Sequence, residues 1–146
     1  MPFVSVTRLR VRALRFLPGF FYQAVRTQRQ VCGASGFRGG SLLPDARWTF
    51  WTLTVWDSAE AMRAYMLGGA HGKAMPKLMR WCDEASVVHW ETPVDIIPDW
   101  SEADARMRSQ GRASRLRHPG PDHQTLSFAP PRSLTGSRLH RRDARP

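Results

Sequence analysis

Phe3 to Val11 sets Phe3, Ser5, Thr7, Leu9 and Val11 against Val4, Val6, Arg8 and Arg10, a period of two that predicts a strand. Arg8, Arg10 and Arg12 share one side of its C-terminal half. Beyond Leu17-Pro18-Gly19, positions Phe21, Ala24, Val25, Gln28 and Cys32 fall three and four apart, which predicts a helix with Pro18 in its first turn. Glycines 33, 36, 39 and 40 then predict a loop passing into a weak strand over Gly39–Leu43, and Pro44-Asp45-Ala46 a turn. Arg47 to Trp56 carries the strongest strand pattern, with Trp48, Phe50, Thr52, Thr54 and Trp56 on one side and Thr49, Trp51, Leu53 and Val55 on the other. Both sides are apolar or β-branched, so both must be covered.

Asp57 with Glu60 outlines a capping box for a helix through Met62, Tyr65 and Met66, stopped by Gly68-Gly69. A second helical piece starts near His71 and aligns Met75, Leu78, Met79 and Cys82 on one stripe. Ala85 to Thr92 alternates again and predicts a fourth strand, and a short polar helix runs from Asp99 or Ser101 to Gln110 before Gly111. Strand, helix, strand, strand, broken helix, strand is the order of an α+β, ferredoxin-like βαββαβ domain with a four-stranded antiparallel sheet. Helices cover one face of such a sheet. For the other, a second copy of the chain is the economical cover, so a homodimer is expected.

Charge changes the picture at both ends. The 146 residues carry +10 overall, divided as +7 over residues 1–47, −3 over 48–111 and +6 over 112–146. The last stretch holds five of the prolines and no hydrophobic period, which predicts a basic Pro/Arg-rich tail, largely disordered, after a domain spanning 3–111. Such a tail is either a solvated extension or an electrostatic contact for an anionic partner. Two isolated cysteines, Cys32 and Cys82, make no disulfide framework, and no apolar run reaches the length of a membrane span. The N-terminus lacks a signal-peptide pattern, so a cytoplasmic protein is expected.

The Trp-rich third strand, Asp57-Ser58-Ala59-Glu60-Ala61-Met62-Arg63-Ala64-Tyr65, Gly69-Ala70-His71 with Ala74-Met75, Trp90-Glu91-Thr92-Pro93 and Ile97-Pro98-Asp99-Trp100-Ser101-Glu102-Ala103 resemble the dimeric α/β-barrel superfamily over residues 3–111. Within it the chain is similar to small bacterial proteins of unknown function related to antibiotic-biosynthesis-type monooxygenases, and more remotely to spheroidene monooxygenase. The resemblance implies sheets packed face to face across a dimer and a small apolar or aromatic substrate. It also implies either no cofactor or haem, with His71 as the axial ligand, because haem-binding relatives carry their histidine on the corresponding helical stretch.

Two chemistries compete for His71. As a general base near neutral pH it would deprotonate a substrate activated toward O₂; as a structural group it would cap the broken helix through a backbone hydrogen bond. His89, which shares a strand face with Glu91, is the second candidate base. Trp48, Phe50, Thr52, Thr54 and Trp56 form either an apolar wall with small hydroxyls, suited to binding a planar substrate, or dimer core. A non-catalytic dimer that binds a hydrophobic ligand or haem is the alternative to a monooxygenase. No His/Cys/Asp/Glu spacing marks a metal site. Nucleic acid is not an expected partner, since Arg47-Trp48-Thr49-Phe50-Trp51 lacks the glycine of the RNA-recognition platform.

Overall fold

The computed structural model describes residues 1–93 and 96–142. Strand β1 (Phe3–Val11) leads through a 3₁₀ turn into α1 (Leu17–Cys32); β2 (Phe37–Asp45) and β3 (Thr49–Trp56) follow as a hairpin. Helices α2 (Ala59–Leu67) and α3 (Gly69–Trp81) precede β4 (Cys82–Glu91), and α4 (Trp100–Gln110) lies between β4 and the short strands β5 (Arg112–Ala113) and β6 (Ser137–Leu139). The sheet order is β5-β4-β1-β3-β2-β6, and every pairing is antiparallel. Its four central strands and the helices α1 to α3 are the ferredoxin-like arrangement.

Local chemistry sets several boundaries. Ser58, not Asp57, is the N-cap of α2, its Oγ accepting from the Ala61 N–H at 3.2 Å. The weak strand is longer than its glycines suggest, since Gly40 lets the backbone of β3 approach: a Cβ there would strike the Leu53 carbonyl oxygen. The strongest strand begins two residues late. Arg47 and Trp48 have φ of 58° and 59° and form the two-residue turn of the β2–β3 hairpin, closed by Thr49 N–H to Ala46 O at 3.3 Å. Such turns need positive φ at both central residues, which Asn-Gly supplies without the steric cost of a larger side chain. Replacing Arg47→Asn together with Trp48→Gly is therefore expected to stabilise the protein by about 1–2 kcal/mol in chemical denaturation. An unchanged midpoint would show that the turn carries no strain.

The two faces of the sheet are covered differently. Helices α1 to α3 pack one face in two separate clusters, one around Val11, Phe20, Leu78 and Cys82, the other around Val31, Phe37, Trp56 and Met62. The opposite face, with Val4, Val6, Trp51, Leu53, Val55 and Val88, lies under Trp100, Ala103 and Met107 of α4. The cover assigned from the sequence to a second copy is thus supplied by the chain itself. What reads as a polar helix carries a narrow apolar stripe at spacings of three and four, and Asp99 caps it by accepting from the Glu102 N–H at 2.8 Å.

Residues 112–142 do not behave as the largely disordered tail that the composition predicts. Arg112 and Ala113 pair with β4, and Ser137–Leu139 pair with β2. His123 is buried, with Nδ1 accepting from the Ala85 N–H at 3.3 Å and Nε2 lying 2.7 Å from the Ser114 carbonyl. Phe128 packs on the face that α4 covers, while Leu139 joins the helix-side core. Scattered single hydrophobes, too sparse to show a period, anchor the segment. The last four residues of the tail lie outside the described residues.

Candidate functional site

A cavity of about 110 Å³ opens between the two helix-side clusters, roofed by α1, α2 and α3 and floored by β1 and β3. The floor is a patch of hydroxyls. Register places Ser5 opposite Thr54 and Thr7 opposite Thr52, and all four line the space. Along β3 the row Phe50-Thr52-Thr54-Trp56 is apolar at its ends and polar at its centre. Phe50 stacks on Phe20 with ring centroids 4.8 Å apart, and Trp56 stacks on Tyr65 at 5.2 Å. The ends therefore plug into the two cores, and the hydroxyl centre is left beneath the gap.

Of the aromatic wall read from the sequence, only Thr52 and Thr54 line the cavity. Phe50 and Trp56 are core side chains, and Trp48 is 47% exposed in the hairpin turn. The sequence reading passed over Ser5, Thr7, Gln23, Thr27 and Tyr65, all of which line the cavity. Paired polar positions at period two on β1 and β3 were the available signal for the first two. Gln23 was hidden because the spacing of Phe21, Ala24, Val25, Gln28 and Cys32 marks another face of α1: Phe21 and Val25 are exposed, and the buried side carries Leu17, Phe20, Gln23 and Val31.

Gln23 is 4% exposed, and its amide forms no hydrogen bond among the described residues. Ser5, Thr7 and Thr52 likewise offer hydroxyls without a protein partner, whereas Thr54 accepts from the Trp56 indole at 2.9 Å. Thr7 and Thr52 are half-buried, and the set faces the cavity, where water or a ligand with matching groups can meet it.

His71 stands at the break between α2 and α3. Gln30 from α1 fixes that break: its Oε1 accepts from the His71 N–H at 2.7 Å, and its Nε2 donates to the Tyr65 and Gly68 carbonyls at 3.2 and 3.0 Å. The imidazole Nδ1 lies 2.9 Å from the Met66 carbonyl, a contact that places the ring proton on Nδ1 and leaves the Nε2 lone pair free. The ring is tilted against Tyr65 with centroids 4.9 Å apart. His71 thus makes the backbone contact expected of a structural group and also lines the cavity. Burial lowers the pKa of His71 below its ordinary 6.5, partly opposed by the Met66 bond, and keeps the ring neutral.

His89 is on the same sheet face but outside the cavity. It lies opposite Ser5, with its ring 5.4 Å from Phe3, and its Nε2 is buried without a partner. Burial, then the charges of Arg112 and Arg63, lower its pKa. The two histidines are not brought together at one site, and Glu91 is exposed.

The chain matches the family model of a domain of unknown function, DUF3291, over residues 3–141. It belongs to the DUF3291 family. The match runs through the segment after Gly111, so the family's domain includes that covering layer. No curated protein matched the sequence. Among solved structures, Rv0793 from Mycobacterium tuberculosis superposes with a TM-score of 0.59 at 12% identity, covering 67% of this chain and 100% of that one. SnoaB, a cofactor-independent oxygenase from Streptomyces nogalater, gives 0.54 at 15% identity, with 65% and 96% covered. An antibiotic biosynthesis monooxygenase gives 0.56 at 8% identity, with 63% and 99% covered. The DUF3291 chain therefore shares the fold of antibiotic-biosynthesis-type monooxygenases and adds about a third of its length to it.

Haem, which the resemblance allows, does not fit beside His71, because the cavity is well below the roughly 300 Å³ at which ligand pockets of ordinary size begin. Among the described residues, no group of three or more His, Cys, Asp and Glu side chains could hold a metal ion, and no helix is long and apolar enough to cross a membrane.

Proposed function

We propose that the cavity beneath α1 to α3 takes a small single-ring aromatic molecule and that the protein oxidises it with O₂ without a cofactor, using His71 as the base. The observation that carries this reading is a neutral imidazole, its Nδ1 engaged by Met66, in a largely apolar cavity that also presents the Gln23 amide and the hydroxyls of Ser5, Thr7 and Thr52. A cavity of about 150 Å³ holds benzene, so about 110 Å³ with slight opening suits one ring and excludes fused systems. Gln23 and the hydroxyls of Ser5, Thr7 and Thr52 would orient the ring substituents.

The chemistry requires only a base and exclusion of bulk water. Nε2 of His71 removes a proton from an acidic ring CH₂ or its enol tautomer, and the resulting anion reduces O₂. Formation of the C–O bond gives a hydroperoxide, which loses water to leave a carbonyl. The CH₂ group and O₂ are thereby converted to C=O and H₂O, with O₂ both oxidant and oxygen source. Shared fold with SnoaB supports the reading but does not carry it. A homodimer, implied by the family resemblance, would use a surface other than the sheet face beneath α4.

The test is O₂ uptake with single-ring hydroxylated aromatics and no added metal or haem. Turnover is expected, and His71→Ala should lower kcat about 10²–10⁴-fold with only a cap-sized loss of stability. Because the base works when neutral and its pKa lies below 6.5, the rate should hold as pH falls through 6.5 and drop only at lower pH. Undiminished uptake by His71→Ala would remove His71 from the mechanism, and no uptake with any such substrate would remove the oxygenase reading.

A further inference from the structure

We propose that a second cleft, on the opposite face of the sheet, binds a small molecule bearing a single carboxylate on an apolar body. This cleft, of about 330 Å³, lies between the C-terminal half of β1, the β2–β3 turn and residues 127–132. It is larger than the His71 cavity and reaches the size at which small-molecule sites begin. Arg8, Arg10, Arg47 and Arg132 contribute its positive charge, and Phe128, Ala129 and Pro130 its apolar side.

The acids in the cleft are already engaged. Glu84 holds both Arg8, at 2.6 Å, and Arg10, at 2.8 Å. Asp45 accepts from the Ala46 N–H, the Arg132 N–H and the Trp51 indole at 2.8, 3.1 and 3.3 Å. Asp122 faces Arg10, which also chelates Asp83 through two bonds of 2.8 Å. The guanidinium groups of Arg47 and Arg132 have no salt-bridge partner among the described residues. Arg8 is 6% exposed, yet only its Nη1 is hydrogen-bonded, and its Nε is buried without any partner.

Glu84 and Asp83 neutralise Arg8 and Arg10, which leaves Arg47 and Arg132 as the guanidinium groups able to meet an anion in the cleft. Guanidinium forks match the planar carboxylate, and Ala129, Pro130 and the edge of Phe128 supply the apolar side for the body of the ligand.

Isothermal titration of the full chain with benzoate, and separately with inorganic phosphate, tests the assignment. Benzoate is expected to bind saturably. Arg47→Ala and Arg132→Ala should each weaken it about tenfold, and exposed Arg26→Ala, with the same charge change, should not. Circular dichroism of each variant shows whether the fold is kept. Absence of saturable benzoate binding, binding insensitive to Arg47 and Arg132, or phosphate bound more tightly than benzoate would overturn the proposal. None of these outcomes bears on O₂ uptake at His71.

Discussion

Ending the chain at Gly111 is expected to lower the unfolding free energy by about 3–6 kcal/mol, a large part of the roughly 5–15 kcal/mol that holds an ordinary domain together. Three losses contribute. Leu139 leaves the helix-side core formed with Phe37 and Trp56, and burial of a leucine stabilises by about 1.5–3 kcal/mol. His123 takes with it the acceptor for the Ala85 N–H on β4 and the packing of a fully buried ring. Phe128 uncovers Trp51, against which it stands edge-on at 5.7 Å, and the Arg8 guanidinium. Denaturant titration of residues 1–111 against the full chain measures the difference. Equal midpoints would mean that the segment after Gly111 rests on the domain without holding it.

That expectation reverses the one that composition alone suggests, and the reason is physical. Periodicity reveals an element when many residues of one face are buried together, as in Phe3–Val11 and the stripe of α3. It is blind to Phe128 and Leu139, each of which is anchored by partners more than fifty positions away. The central strands, the three helices and the break before His71 were therefore legible, as was the need for cover on both faces of β3. The source of that cover was not, because Trp100, Ala103 and Met107 dilute their stripe among seven charged or polar neighbours in α4. In the cavity, His71 and the two threonines of β3 could be read because each interrupts a visible pattern. Gln30, which positions His71 from forty-one residues away, is indistinguishable in sequence from any other polar residue of α1.

Removing the carboxylate of Glu84 is expected to cost about 3–5 kcal/mol, because it strands a buried cation. Strand alternation puts Arg8 on the face of Val4 and Val6, where Phe128 and Trp51 enclose it. Its side chain and that of Glu84 are only 7% and 8% exposed. In Glu84→Ala the Arg8 group keeps its charge and loses the one acceptor it has among the described residues, and Arg10 loses the second of its two acids. Replacing both partners by apolar residues, Arg8→Met with Glu84→Leu, should by contrast be nearly neutral, since the desolvation of two charges disappears along with their attraction. A double-mutant cycle in urea separates these cases, and a Glu84→Ala loss below about 1 kcal/mol would show that the pair is solvated like a surface ion pair. The same substitution also reports on the covering segment. With residues 112–146 deleted, Arg8 loses Phe128 and gains water, so the cost of Glu84→Ala should fall toward the surface value in the shortened chain.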